Sequence, residues 1–156
     1  MNLYSRYLTA WVLLAGAQVL VSMVNLTGAG VALSSAIVSL GGDSIVMIAL
    51  MVALVCLIMG MGLPTTAAYV LVAAVLAPAL TEVGVPILTA HLFVFYFATI
   101  SVITPPVCVA VFVGAGIAQT NWVPAAFEAV RLAAIIYLLP FLLLLFPGMV
   151  LEGGAL

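Results

Sequence analysis

Charge is what this sequence most lacks. Only 4% of its 156 residues are charged, where a soluble domain carries about 25%. The full set is Arg6, Arg131, Asp43, Glu82, Glu128 and Glu152. With 69% hydrophobic residues, such a chain could not cover a water-facing surface with polar groups. The absence of a basic patch excludes nucleic acid as a partner, and a net charge of −2 rests on too few groups to indicate any other. Cysteine is nearly absent too. Cys56 and Cys108 stand far apart inside apolar runs, without C-x-x-C spacing, which excludes a disulfide framework and a redox motif. Both read as small buried hydrophobes. What is present in abundance is long uncharged apolar stretches, the mark of membrane-spanning helices. Lipid is the solvent and the bilayer the first partner.

The chain reads as one all-α integral membrane domain over residues 1–156. Arg6, Leu8–Leu14 and Ala15-Gly16-Ala17 imitate a signal peptide. The hydrophobic run continues past the supposed cleavage site, so residues 7–24 are expected to form an uncleaved spanning helix. Residues 31–40 hold Ser34, Ser35 and Ser39 among apolar residues, which suggests an interfacial helix. Gly41-Gly42-Asp43-Ser44 is a turn, and Asp43 or Ser44 can cap the helix that follows.

From there the helices become too short to span. Ile45–Met59 would be about 22 Å long, against a hydrocarbon core of about 30 Å. It ends in Gly60-Met61-Gly62-Leu63-Pro64-Thr65-Thr66, and Ala67–Leu80 follows at similar length. Two short helices joined by a Gly/Pro/Thr tip predict a re-entrant hairpin over 44–80. Residues 87–119 predict a discontinuous helix. Ile87–Ile100 is interrupted by Ser101-Val102-Ile103-Thr104-Pro105-Pro106, because a Pro-Pro pair removes two backbone donors and forces the preceding residue out of the α region; Val107–Gln119 resumes it. Residues 124–147 begin with an amphipathic turn at Pro124 and complete a last span, with a kink expected at Pro140.

Broken backbone at membrane depth is tolerated only where protein or a wet cavity satisfies it. Interrupted helices present oriented carbonyls at one end and free N–H groups at the other, the working parts of many secondary transporters. Thr65, Thr66, Ser101 and Thr104 add hydroxyl oxygens, and hard cations take oxygen ligands. A sodium site without any carboxylate is therefore chemically reasonable. A purely structural reading stands beside it, since Gly and Pro are common in membrane helices and Ser/Thr often bond back to their own helix.

Gly60-Met61-Gly62-Leu63-Pro64-Thr65-Thr66-Ala67-Ala68-Tyr69, taken with Ile103-Thr104-Pro105-Pro106-Val107, resembles the large permease subunit of TRAP (tripartite ATP-independent periplasmic) transporters. Leu26-Thr27-Gly28-Ala29-Gly30, Ala90–Phe97 and the stretch from Phe127 through Pro140 are similar to the fused, TAXI-associated branch. The resemblance implies a C-terminal part of a larger permease: the second inverted repeat of an ion-transporter-type elevator fold, with a facing half or a small permease subunit to complete it. It implies uptake of a small organic, carboxylate-type solute delivered by a periplasmic solute-binding protein. Sodium would be the coupling ion, without other cofactors, across a bacterial or archaeal inner membrane. On that resemblance Gly60, Gly62, Thr65, Ser101 and Thr104 would hold sodium. Pro64, Thr65, Thr66, Thr104, Pro105 and Pro106 would line the substrate site.

Other functions would draw on the same residues. A symporter of similar architecture that takes dicarboxylates without a binding protein stays open, as do proton coupling and a non-transporting structural subunit. An enzyme would need a nucleophile and a base together. Ser101 and His91 form the one conceivable pair, and ten residues of helix hold them about 15 Å apart, far beyond the ~3 Å that general-base catalysis requires. His91 is the one histidine, and an intramembrane ionisable group is a functional candidate by default. Glu128 and Arg131 share a helix face and are expected to pair. Glu82 and Asp43 fall in turns, where water solvates them. Trp11, Trp122, Tyr4 and Tyr7 suit the aromatic belt.

Overall fold

The structure is a computed structural model and describes residues 12, 15, 16, 18, 19, 22–24, 26–42 and 44–150. Arg6, Asp43, Glu152, Trp11, Tyr4, Tyr7 and most of the span expected over 7–24 lie outside the described residues. Every regular element among the described residues is helical: α1 (Ala29–Gly41), α2 (Ile45–Gly60), α3 (Thr65–Glu82), α4 (Ile87–Ile100), α5 (Val109–Ile117), α6 (Trp122–Leu132), α7 (Ala134–Leu145) and a closing 3₁₀ turn, Pro147–Val150.

Helix ends follow local chemistry. Ser44 starts α2, its Oγ accepting from the Met47 N–H at 3.4 Å. Asn121 starts α6, its Oδ1 accepting from the Val123 N–H at 3.1 Å; both are ordinary N-caps. Pro64 precedes α3 with ψ 140°, so the helix begins at once on Thr65. It also runs through Pro78 to Glu82. α3 extends two residues beyond each end of the 67–80 helix expected from sequence, giving 18 residues, long and apolar enough by length and composition to cross a membrane. Pro78 stands inside the helix without ending it, and its missing N–H removes one i→i−4 hydrogen bond, the one the Ala74 carbonyl would accept. Trp122–Leu145 passes the same test of length and composition. Its interruption lies at Ala133 (φ −83°, ψ 1°), while Pro140 sits buried inside α7.

α3 is the hub, packed against α1, α2 and α4, and α7 closes over α4. Small residues make this possible. Lipid tails are as apolar as leucine, so membrane helices associate through close packing rather than water exclusion. Ala67, Ala68, Ala73, Ala77 and Ala79 of α3 are all buried. A Cβ on Gly30 would touch the Val75 backbone at 3.8 Å, so α1 meets α3 almost backbone to backbone. Between the helices lie Ile48, Val52, Cys56, Val72, Leu76, Phe93 and Phe97. Phe141 of α7 meets Phe93 and Phe97 edge-on at centroid distances of 5.4 and 5.8 Å, a favourable aromatic geometry. α1 packs on α3 with Gly30, Ser34, Ile37 and Gly41 buried. Its small residues let it dock.

α5 and α6 behave differently. They pack on each other, and α5 buries only Ala115 while α6 buries only Ala126. Both cysteines are buried and free.

Candidate functional site

Gly60 ends α2 and Ser101 follows α4, and these two helix ends meet. A Cβ built on Gly60 would stand 2.5 Å from the Ser101 Oγ, 2.9 Å from its Cβ and 3.8 Å from the Ala98 Cα. Only glycine allows so close an approach. The chain then turns: the Met61 N–H donates to the Ile58 carbonyl and the Leu63 N–H to the Gly60 carbonyl, each at 3.4 Å. Gly62 takes φ +77°, and a Cβ there would lie 3.7 Å from the Val107 Cγ1. The end of α2 and the tip at 61–64 thus lie against the interruption at 101–108 at two points, Gly60 on Ser101 and Gly62 beside Val107.

The second interruption is stitched more heavily. Val102, Ile103 and Thr104 N–H groups donate to Thr99, Ile100 and Ser101 carbonyls at 3.4, 3.0 and 3.2 Å. The Cys108 N–H reaches the Thr104 carbonyl at 3.3 Å, and the Ala110 N–H returns to the Val102 carbonyl at 3.2 Å. The Pro105–Pro106 peptide bond is cis, and Cys108 stands at φ 24°, just before α5 begins.

Hydroxyl chemistry is directional here. Ser101 Oγ donates to the Ala98 carbonyl at 2.7 Å; its oxygen is wedged against Gly60 and the residue is 1% exposed, so it serves the contact itself. Thr104 Oγ1 donates to the Ile100 carbonyl at 2.8 Å and lies 2.6 Å from the Tyr137 hydroxyl. A hydroxyl has one proton. Since Thr104 gives its proton to Ile100, Tyr137 of α7 must donate to Thr104. Thr104 therefore turns a lone pair, and no proton, toward any further partner. Thr65 is half-buried and Thr66 exposed; among the described residues neither hydroxyl has a hydrogen-bond partner. Pro64 and Pro106 are exposed and Pro105 is half-buried. Among the described residues no hydrogen bond joins Thr65 or Thr66 to the second interruption.

Two helix C-termini, those of α2 and α4, converge at the Gly60–Ser101 contact. A helix C-terminus carries partial negative charge, so the convergence favours a cation; the Phe97, Ala98, Thr99 and Ile100 carbonyls already accept hydrogen bonds from the interruption. No group of three or more His, Cys, Asp or Glu that could hold a metal exists among the described residues. The donor set at the interruptions is carbonyl and hydroxyl oxygen, which fits a hard monovalent cation and not a transition metal.

A family model described as the tripartite ATP-independent periplasmic transporter, DctM component, matches residues 5–153. The chain belongs to this family. No curated protein and no solved structure gives a significant match. The TRAP permease is a membrane transporter component, in a family that works with a periplasmic binding protein and a small permease and is not a family of enzymes.

Within this TRAP permease the remaining polar residues have specific partners. His91 Nδ1 lies 3.1 Å from the Tyr69 hydroxyl, and Tyr69 also meets Phe95 edge-on at 5.5 Å; the pair ties α3 to α4. Ser101 and His91 are thus each engaged elsewhere. Arg131 and Glu128 approach to 3.9 Å, with side chains 82% and 62% exposed, a surface pair of little energetic weight. Trp122 is exposed and meets Phe112 edge-on at 6.2 Å. Tyr137 was missed by sequence reasoning. The available signal was a lone phenol in the middle of the apolar run 132–146, where aromatic-belt logic does not apply.

Proposed function

We propose that this TRAP permease component carries the hairpin tip and the helix break of an elevator-type fold, and that it couples sodium entry to uptake of a small organic carboxylate. In that reading 44–80 is a re-entrant hairpin and 87–119 a discontinuous helix, in the second of two inverted repeats in a multi-pass inner-membrane protein. A periplasmic solute-binding protein delivers the solute. One observation carries the reading: the carbonyl-bearing ends of α2 and α4 meet where the Ser101 side chain packs against Gly60, which has none. A cation attracted there is offered the lone pair of Thr104, the hydroxyl of Thr65 and carbonyls of the Gly60–Gly62 turn. Ser101 holds the two ends together. The first turns of α3 and α5 present N–H groups on the other side of the interruptions, the polarity a carboxylate requires. Thr66, Pro64, Pro105 and Pro106 shape that side.

The test is thermal unfolding of the purified chain in detergent over a sodium titration, with potassium as control. Binding to the folded state alone raises stability with ion concentration. A sodium-specific rise is expected, and Thr65→Ala and Thr104→Ala should each weaken it about tenfold in apparent affinity. Equal titration curves in wild type and both variants would overturn the assignment of sodium to these residues.

A further inference from the structure

At the opposite end of α3 lies a second polar feature that the interruptions do not involve. A partly open cavity of about 80 Å³ lies between α1 and α3, lined by Gly28, Gly30, Ser34, Ala74, Pro78 and Glu82, among others. Ser34 is 1% exposed, and its Oγ has no hydrogen-bond partner among the described residues. A serine inside a helix ordinarily returns its proton to a carbonyl of the preceding turn. Ser39, Thr81, Thr99 and Ser101 of this chain all do so. Ser34 does not.

Two further residues with oxygen to offer line the same space. Pro78 has no N–H, so the Ala74 carbonyl, four residues before it, is denied its usual helical donor; Ala74 and Pro78 both line the cavity. Glu82, the last residue of α3, supplies a carboxylate and is exposed on its outer side, which gives an aqueous ion a way in. A buried hydroxyl without a partner is costly, and a carbonyl denied its i+4 helical donor keeps a lone pair to offer. The arrangement is relieved by a ligand that accepts lone pairs from oxygen and neutralises the carboxylate.

We propose that Ser34, the Ala74 carbonyl and Glu82 form a site for a small, partly hydrated monovalent cation such as sodium, fastening α1 to the far end of α3. Thr65 and Glu82 are seventeen residues apart on one helix, about 26 Å at 1.5 Å per residue. The site is therefore separate from the interruptions and stands whether or not sodium binds there. Its cavity has room for an ion with one or two waters, and its ligands are the hard oxygens such a cation prefers. Where the site at the interruptions would serve coupling, this one would set how firmly α1 grips α3.

Amide hydrogen exchange of the purified chain in detergent reads the two sites apart. At sodium ten times the dissociation constant, exchange in peptides covering residues 28–36 and 74–83 should slow about tenfold relative to choline at equal ionic strength, because only the closed, bound state is protected. Glu82→Gln and, independently, Ser34→Ala should abolish that slowing, while any sodium effect on peptides covering 60–66 and 101–108 persists. Ser34→Ala supplies a second reading. In a dry cavity the substitution removes an unpaired hydroxyl and raises stability in sodium and choline alike; in an ion site it lowers stability in sodium only. No sodium-specific slowing at 28–36 and 74–83, slowing that survives Glu82→Gln, or a Ser34→Ala chain stabilised in both salts would overturn the proposal.

Discussion

The two interruptions in this chain are built on opposite plans. The tip at 61–64 is a bare turn, closed by two long backbone hydrogen bonds and shaped by Gly60 and Gly62, which contribute no side chains. The interruption at 101–108 is held by overlapping backbone turns, by two buried or half-buried hydroxyls and by a tyrosine from α7. One is defined by what is missing at Cβ, the other by what its side chains grip. Where they touch, the first leans on the second. Substitutions in the tip should therefore act through steric intrusion, and substitutions at the interruption through lost hydrogen bonds.

The largest effect is expected at Gly60. Gly60→Ala drives a methyl into Ser101, which is short, buried and bonded to Ala98 and so cannot swing away. A loss of about 1–3 kcal/mol, the range for overpacking a filled site, is expected from unfolding in detergent. Ser101→Ala in the same chain removes the oxygen but keeps the Cβ at 2.9 Å, so it should return part of the loss. Simple additivity of the two changes would mean that the ends do not press on each other.

Gly62 comes next. Its φ of +77° costs an L-residue about 1–2 kcal/mol, and the space beyond it is open enough for a methyl. Gly62→Ala should lower stability by about that amount, and Gly62→Asn by less, because asparagine tolerates the left-handed region. Equal losses for both would point to contact with Val107 rather than backbone conformation.

The smallest effect belongs to the interruption. Tyr137→Phe leaves Thr104 still donating to Ile100 and removes one interhelical hydrogen bond, of about 0.6 kcal/mol in membrane proteins. Its signature should be local: faster amide exchange over 102–112 with little change in the unfolding midpoint.

The all-helical class and the family are legible in the sequence because they rest on composition and on short motifs that act locally. Gly60, Gly62 and Pro64 set backbone conformation within a turn, and Pro105-Pro106 withholds donors wherever it stands. What is not legible depends on distant partners. Nothing near Tyr137 reveals that Thr104 receives its proton, since the two are 33 residues apart. The docking of α1 hides behind serines that suggest an interface; it follows from Gly30 meeting Val75 across the fold. α3 passes through Pro78, and the consequence at Ala74, a carbonyl denied its i+4 donor, shows only once α1 is seen packed beside it. Glu82 reads as a solvated turn residue and is exposed, but it also borders the Ser34 cavity.

The bond between Thr104 and Tyr137 has one more consequence. α5 and α6 hang between two joints, Cys108 on one side and Ala133 on the other, with almost none of their surface against the remaining helices. Thr104 stands just before the first joint and Tyr137 just after the second, so their 2.6 Å contact buckles the two ends of that excursion together. Chain from 105 to 136 is thereby a closed loop, and any outward swing of the α5–α6 pair must either carry both anchorages with it or unfasten the buckle at the residue beside the prolines.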